Sequence, residues 1–162
     1  MLAQPITTEE EESTVERNPM QTDGFEFIEY ATDKPEELGK LFESMGFIKV
    51  AKHRSKDVTL YRQGGVNFVI NAQKDSHAHG FTSLHGASVN AMAFRVKDAN
   101  AAHKRALELG AESYEGEIGD NELQIPAIKG IGDSLIYFVD LYGKKGNIYE
   151  VDFEFFADVN KE

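Results

Sequence analysis

The carboxylates with the most regular spacing lie near the end of the sequence, in residues 147–155 (NIYEVDFEF). Because side chains alternate between the two faces of a β-strand, Glu150, Asp152 and Glu154 would share one face with Ile148. The aromatic residues and the valine between them would form an apolar face. Carboxylate oxygens are ligands for hard divalent cations. The spacing therefore predicts a strand whose acidic face either lines a cavity or meets solvent.

Three histidines lie in the polar segment 73–88, QKDSHAHGFTSLHGAS, which we predict to be a connector. His77 and His79 form a His-x-His pair, which can chelate Zn²⁺ or Ni²⁺, and His85 follows. No cysteine or carboxylate stands at a spacing that would complete such a site. A physiological metal site is therefore not predicted in this segment, which we expect to be a mobile loop. For three further basic residues, His53, Arg54 and His103, solvated side chains are predicted.

Two other kinds of chemistry are not indicated. Gly130-Ile131-Gly132 lacks the third glycine of a dinucleotide-binding loop, because position 135 is Leu135, and the segment that follows is typical of a strand rather than a helix. The chain contains no cysteine. No serine has a base placed near it by a motif. Neither nucleotide binding nor nucleophilic catalysis is therefore predicted.

Composition bounds the class of protein. The chain has 162 residues, of which 41% are hydrophobic, enough for one domain with its own core. A net charge of −11 argues against nucleic acid and anionic membranes as partners. No apolar run is long enough for a membrane span, and the first 20 residues, which include four consecutive glutamates, are predicted to be a disordered acidic leader. We expect a cytoplasmic protein.

The elements that must position these residues can be inferred from apolar spacing. In residues 34–45 apolar side chains recur with helical period, so a helix is predicted that starts at a cap, Thr32 or Asp33, and ends at Gly46. Its stripe consists of Leu38, Leu41, Phe42 and Met45. Residues 24–32 before it alternate as a strand does. Three more strands are predicted after it, at residues 47–51, 58–63 and 66–72.

The same order recurs in the second half. A strand at 89–96 precedes a helix at 99–109, which Asp98 caps and Gly110 ends. Further strands are predicted at 111–114, 122–127, 134–141 and 147–155, with 142–146 as a hairpin turn between the last two. We infer an internal duplication and an α+β fold. It consists of two tandem βαβββ modules, 24–72 and 89–155, on either side of the connector 73–88, in one domain over 21–162.

This duplicated pattern resembles the vicinal oxygen chelate (glyoxalase/bleomycin-resistance/dioxygenase) superfamily. From about Asn18 to Phe155 the chain is similar to the amino-terminal domain of bacterial 4-hydroxyphenylpyruvate dioxygenases. The similar runs are NPM (18–20), GFEFIEYAT (24–32), MGF (45–47), KHRSKDVTLYRQG (52–64), AFRVKDA (93–99), RALELGA (105–111) and PAIKGIGDSLIYFVD (126–140).

The resemblance implies a tyrosine-catabolic, non-haem Fe(II) enzyme that converts 4-hydroxyphenylpyruvate and O₂ to homogentisate and CO₂. In that family a two-His-one-Glu triad lies in a carboxy-terminal domain, and this chain would stop where that domain begins. The superfamily's ligand positions fall on the first and last strands of each module, here at Glu26, Phe68, Ala91 and Glu150. Ala91 and Phe68 offer no donor atom. We therefore predict no catalytic, cofactor-binding or metal-binding residue, with Glu26 and Glu150 as residual ligand positions only.

Two functions remain open. In the first, the chain is the non-catalytic, structural amino-terminal domain of such a dioxygenase, inactive by itself and without a cofactor of its own. It would pack on the carboxy-terminal catalytic domain, which holds Fe(II), and could supply contacts for a homo-oligomer. In the second, it is a free-standing small-molecule-binding protein or small metalloenzyme of the same superfamily, with a cavity between its modules. A cavity filled by apolar side chains would count against the second function.

Overall fold

Two βαβββ modules make up the chain in a computed structural model, which describes residues 17–157 and residue 159. Most of the predicted acidic leader, residues 1–16, lies outside the described residues. The two-module α+β architecture predicted from the sequence is confirmed. Within residues 17–157 and 159, no helix has the length and apolar character needed to cross a membrane.

Module one follows the predicted order closely. Its elements are β1 (Thr22–Ala31), α1 (Pro35–Ser44), β2 (Ile48–His53), β3 (Val58–Gln63) and β4 (Val66–Asn71). Strands β3 and β4 pair as an antiparallel hairpin. The two glycines between them supply the turn, as the sequence predicts.

The start of α1 differs from the prediction. Neither Thr32 nor Asp33 caps the helix by a side-chain hydrogen bond, because the capping position is Lys34 and Pro35 opens the first turn. The Thr32 hydroxyl instead accepts a hydrogen bond from the Lys34 N–H at 3.0 Å. The predicted apolar stripe is also only partly buried. Phe42 is 2% exposed, whereas Leu41 and Met45 keep more than half of their surface accessible.

The predicted connector contains a helix, α2 (His77–His85). The Ser76 side chain caps it by accepting a hydrogen bond from the His79 N–H, and Ala78 and Phe81 are buried one turn apart. The prediction of a connector without secondary structure was wrong. The helix was missed because its only buried residues, Ala78 and Phe81, stand among polar and glycine residues. The cap and the apolar spacing were nevertheless present in the sequence.

Module two has β5 (Ser88–Val96), α3 (Ala99–Glu108), β6 (Ser113–Tyr114), β7 (Ala127–Lys129) and β8 (Leu135–Val139). The predicted cap is confirmed, since the Asp98 carboxylate accepts a hydrogen bond from the Ala101 N–H at 2.9 Å. The strand predicted at 122–127 is wrong. Residues 115–126 form a long loop, and strand pairing begins only at Ala127.

The hairpin predicted from 134–141 and 147–155 does not form. Strand β8 is already hydrogen-bonded on both sides, to β5 and to β7, so it has no free edge for another strand. The chain instead crosses to module one, where a short helix, α4 (Tyr149–Asp152), leads into β9 (Phe153–Phe155), which pairs with β2. The predicted alternation over 147–155 therefore fails at its centre.

Among the described residues the nine strands form one sheet in the order β6-β7-β8-β5-β1-β4-β3-β2-β9. The two first strands of the modules, β1 and β5, lie antiparallel at its centre, and each is parallel to the last strand of its own βαβββ unit, β4 or β8. Helices α1 and α3 cover one face. The other, which we call the inner face, carries the largest apolar cluster.

The apolar cluster fills the middle of the inner face. Residues from both modules contribute, among them Phe27, Leu60, Val69, Ala93 and Val139. The crossing segment before β9 adds Ile148, Tyr149 and Phe153 to the same cluster. Burying these side chains favours association of the modules, which are also hydrogen-bonded to each other through β1 and β5. The middle of the inner face is therefore filled by apolar side chains.

Candidate functional site

Both central strands contain an irregularity that turns a polar residue onto the inner face. In β1, the pairs Phe25–Phe94 and Phe27–Ala93 leave Glu26 as an extra residue. A β-bulge of this kind breaks the strict alternation of side chains. Glu26 therefore reaches the same face as Phe27, its neighbour in the chain.

Both the carboxylate and the backbone carbonyl of Glu26 accept hydrogen bonds. Its carboxylate Oε2 accepts a hydrogen bond from Arg95 Nε at 2.6 Å, and its side chain is 3% exposed. The same hydrogen bond raises the pKa of Arg95. The Glu26 carbonyl accepts hydrogen bonds from Asn67 Nδ2 and the Tyr149 hydroxyl. This arrangement is an internal ion pair, and it leaves the Glu26 oxygen facing Arg95 unavailable to a metal ion.

The second residual ligand position, Glu150, lies on α4 with an exposed side chain. The amide N–H of Glu150 donates to Asn147 Oδ1, and its carbonyl lies 3.5 Å from an Arg54 nitrogen. Tyr149, not Glu150, is the residue of this helix that faces Glu26. The predicted acidic face of 147–155 is therefore wrong, because a helical turn rotates successive residues by about 100° rather than 180°.

The two apolar ligand positions also lie apart. Ala91 is fully buried on the inner face, in register with Glu29. Phe68 stacks on Phe47 at 4.3 Å in the cluster under α1, on the opposite face. A two-His-one-carboxylate Fe(II) centre does not fit these residues. Ala91 and Phe68 offer no donor atom, and Glu26 is paired with Arg95. Within the part of the chain that is described, no three His, Asp or Glu residues converge as a metal site.

A second polar cluster surrounds Glu29, which the sequence analysis did not single out. Its Oε1 accepts hydrogen bonds from Asn90 Nδ2 at 2.7 Å and from Asn71 Nδ2 at 3.2 Å. Burial raises the pKa of Glu29, and these two hydrogen bonds offset part of the rise. Glu29 was missed because an alternating strand would place residues 26 and 29 on opposite faces. The bulge brings both onto the inner face.

Two tyrosines and one histidine border this cluster. Tyr137 extends from β8 over the small side chain of Ala93, and its ring lies 5.9 Å from that of Phe27. Tyr114 makes an edge-to-face contact with His77 at 5.4 Å. Burial raises the pKa of both tyrosines, and the charge of Glu29 adds to the effect. Their hydroxyls are therefore neutral donors at physiological pH.

The histidines of α2 do not form the His-x-His chelate considered above. His77 points inward, where its Nε2 donates to the Asp133 carbonyl at 2.7 Å, whereas His79 and His85 are exposed. Residues two apart on a helix lie on different sides. The helix thus excludes the chelating alternative, and the expectation of a loop was wrong for residues 77–85.

A third cluster joins the two modules through Glu122. Its carboxylate accepts hydrogen bonds from Lys56 Nζ at 2.6 Å, Ser55 Oγ at 2.5 Å and the Gly119 N–H at 2.7 Å. Although burial alone would raise the pKa of Glu122, these bonds lower it to about 2. Loop 115–126 of module two is thereby fastened to the turn between β2 and β3.

His53 and His103 are packed rather than solvated. The His53 side chain is 9% exposed, with Nε2 3.8 Å from Glu122 and its ring against Phe153. Burial lowers the pKa of His53, against the opposing charge of Glu122. His103 is half-buried, and its Nε2 lies within hydrogen-bond distance of Ser113 Oγ and the Ala127 carbonyl. The prediction of solvated side chains was wrong for His53 and His103. Arg54 is exposed as predicted, although its Nε donates to the Val151 carbonyl.

A cleft of about 680 Å³ opens between module two and its long loop. Its walls include Lys56, Tyr114, Glu122, Ile125 and Tyr137. A smaller apolar pocket of about 220 Å³ lies under α2, and Tyr114 borders both spaces. The inner face is thus filled in the middle, and the cleft opens beside Tyr137.

The family model described as hydroxyphenylpyruvate dioxygenase, HPPD, N-terminal, matches residues 16–154. The chain is 60% identical over 144 residues to hemolysin VllY of Vibrio vulnificus strain CMCP6, covering 87% of this chain and 40% of that protein. It is 53% identical over 144 residues to the 4-hydroxyphenylpyruvate dioxygenase of Pseudomonas sp. strain P.J. 874, covering 89% of this chain and 40% of that protein.

A solved structure shows the same fold. The xylose isomerase-like TIM barrel/4-hydroxyphenylpyruvate dioxygenase fusion protein superposes with a TM-score of 0.75 at 40% identity, covering 85% of this chain and 22% of that one. The chain spans 40% of the length of each of the two relatives above. The match therefore concerns one part of these longer proteins.

Proposed function

The chain belongs to the family of hydroxyphenylpyruvate dioxygenase amino-terminal domains, and on that premise we propose that it serves as the non-catalytic, structural domain of such a dioxygenase. In the intact protein, a carboxy-terminal domain would hold Fe(II) and convert 4-hydroxyphenylpyruvate and O₂ to homogentisate and CO₂. This domain would pack on that catalytic domain and contribute to oligomer contacts. A cytoplasmic setting is part of the same proposal.

One observation supports a structural role above the others. The buried carboxylate at the first-strand ligand position, Glu26, is hydrogen-bonded to Arg95, whose side chain is 32% exposed, and Ala91 stands at the equivalent position of module two. A metal ion at Glu26 would have to displace this charged hydrogen bond and could gain no ligand from Ala91, which has no donor atom. The residues at these positions thus hold the two central strands together.

A domain exchange tests the proposal. We would replace the corresponding amino-terminal part of the Pseudomonas sp. dioxygenase with residues 17–157 of this chain and follow Fe(II)-dependent O₂ uptake with 4-hydroxyphenylpyruvate. The expected result is an active chimera, because 53% identity leaves the contacting surfaces similar. As a matched control, the Pseudomonas sp. carboxy-terminal part alone should be unstable or poorly active. A soluble chimera that lacks activity would contradict the proposal.

A second candidate function is supported by the cleft of about 680 Å³, which is large enough for a small molecule. In this alternative the chain binds a ligand by itself. The apolar filling of the middle of the inner face counts against a cavity between the modules. The cleft at the module-two end remains as the place where such binding would occur.

A further inference from the structure

Two tyrosines of module two lie on the same side of the sheet, separated by one alanine. Strand pairing places Tyr114 opposite Ala127, and Ala127 opposite Tyr137. Residues directly opposite each other share a face of the sheet, and Tyr137 also pairs with Ala93 of the inner-face cluster. Because neighbouring strands are about 4.8 Å apart, the two tyrosine backbones lie about 10 Å apart, with only a methyl group between them. All three residues line the cleft of about 680 Å³.

The Tyr137 hydroxyl is a donor without an acceptor in the protein. The structure gives it no hydrogen bond to any residue within the described ranges. The side-chain polar atoms of those ranges that are both fully buried and unpartnered belong to His77, Thr82 and Asn90, so the Tyr137 hydroxyl keeps accessible surface. Since Tyr137 lines the cleft, this surface faces the cleft. Burial raises the pKa of Tyr137, so the hydroxyl keeps its proton at physiological pH.

The charges around the cleft disfavour an anionic ligand. The only lysine or arginine among the described residues that line it, Lys56, is held by Glu122 at 2.6 Å. The loop adds two exposed carboxylates, Glu115 and Glu117, at the rim. A negatively charged molecule would therefore meet repulsion without a free cation to bind.

The remaining wall of the cleft is apolar. Leu123, Ile125 and Pro126 line it on the side of the loop, and the two tyrosine rings line it on the side of the sheet. The cleft thus has a hydroxyl donor among apolar side chains inside and carboxylate acceptors at its exposed rim. An uncharged group that both accepts and donates, on an apolar ring, matches this arrangement.

We propose that the cleft binds an uncharged aromatic molecule that carries an amide group. The amide carbonyl accepts a hydrogen bond from the Tyr137 hydroxyl, its N–H groups point toward the carboxylates at the rim, and the ring lies along Ile125 and Pro126. A carboxylate in place of the amide would be repelled by the loop, and a cationic amidine would leave the Tyr137 hydroxyl without an acceptor. The proposal rests on the second candidate function above and is independent of the structural role.

Three ligands of the same shape test the ligand class. Benzamide is neutral, benzoate is an anion and benzamidine is a cation at pH 7, and each is titrated into the full chain and followed by ¹H–¹⁵N NMR. We expect benzamide to give saturable shifts at residues 114, 125 and 137 with a dissociation constant of about 1 mM. The other two should bind at least about fivefold more weakly.

The possible failures of this titration are distinguishable. Benzoate or benzamidine that binds as tightly as benzamide would overturn the proposed ligand class but leave small-molecule binding in place. An absence of shifts with all three ligands would overturn both the proposal and the second candidate function. Neither result bears on the structural role, which the domain exchange tests.

The variant Tyr137→Phe removes the hydroxyl alone. We expect it to bind benzamide about fivefold more weakly, as the loss of one neutral hydrogen bond predicts, and to unfold at an unchanged urea midpoint. The matched control Tyr142→Phe removes a hydroxyl that donates to Asp23 outside the cleft, and it should bind benzamide as the unaltered chain does. Equal affinities of the two variants would overturn the proposal. So would a lowered urea midpoint of Tyr137→Phe, because the hydroxyl would then be bonded within the protein.

Discussion

At the scale of single residues, bulges decide which carboxylates face inward. Glu26 and Glu29 are three apart, yet both reach the inner face, where Arg95 neutralises the first and amides bind the second. The contribution of each carboxylate to stability therefore depends on its hydrogen-bond partners. The consequences of removing each group therefore differ and can be measured separately.

The ion pair of Glu26 with Arg95 should contribute measurably to folding. We expect Glu26→Gln to lower the free energy of unfolding by about 2 kcal/mol, because a hydrogen bond between charged groups is lost beside the core. Urea unfolding measures this change. In a double-mutant cycle with Arg95→Met, the second substitution should cost less in the Glu26→Gln background than in the unaltered chain. Strict additivity would show that the pair is not coupled.

Glu122 should make stability depend on pH in a defined direction. Its pKa in the folded chain is about 2, below the ordinary value of 4.5, so folding stabilises the ionised form. This contribution is fully present above about pH 4.5 and is lost as the pH falls toward 2. Glu122→Gln should therefore cost about 2 kcal/mol at pH 7 and much less near pH 2.5.

Urea midpoints at the two pH values check this prediction. The matched control is Glu115→Gln in the same loop, whose exposed side chain should give a difference close to zero at both pH values. A loss of stability in Glu122→Gln that is the same at pH 7 and pH 2.5 would contradict the assigned role of the charge.

At the scale of elements, the short helix α2 rests on its cap and on two buried side chains. Ser76→Ala removes the acceptor for the His79 N–H and should destabilise the helix by about 1 kcal/mol. Hydrogen exchange of the α2 amides measures the effect. Ser83→Ala, on the exposed side of the same helix, should change it by less than about 0.5 kcal/mol. Equal effects of the two would argue against the cap.

Substitutions in α4 can distinguish the observed helical turn from the strand that the sequence predicts. In an extended strand Tyr149 and Val151 would share a face, whereas here Tyr149 is 1% exposed and Val151 is 41% exposed. Tyr149→Ala should therefore cost about 4 kcal/mol of unfolding free energy, and Val151→Ala less than about 0.5 kcal/mol. Thermal or urea unfolding of the two variants measures both values. Similar losses would support the strand.

Sequence patterns predicted most elements but not the way the last ones pair. Module one, the cap Asp98 and the stops at Gly46 and Gly110 follow from local rules of helix and turn chemistry. The fate of residues 147–155 depends on which sheet edge is free, which no local pattern contains. The same limit applies to the site, because a bulge at Asn90 has no signature in a single sequence, so neither its unpartnered oxygen nor Glu29 stood out.

At the scale of the whole molecule, the two modules are one unit. The chain crosses from module two to pair β9 with β2, and Glu122 fastens the long loop to module one. Thirteen large apolar side chains of the described residues remain substantially exposed, among them Ile131, Leu84 and Leu109. Singly exposed apolar side chains are ordinary on a folded surface, so their number alone assigns no partner.

The most direct test of the central claim is O₂ uptake by the purified chain alone, with Fe(II), ascorbate and 4-hydroxyphenylpyruvate. The full-length Pseudomonas sp. relative serves as the active control under identical conditions. We predict no uptake above the background of Fe(II) without protein, because Ala91 and Phe68 offer no donor atom at their ligand positions and Glu26 is held by Arg95. Turnover that is abolished by Glu26→Gln or Glu29→Gln would contradict a non-catalytic role and would locate an active site on the inner face.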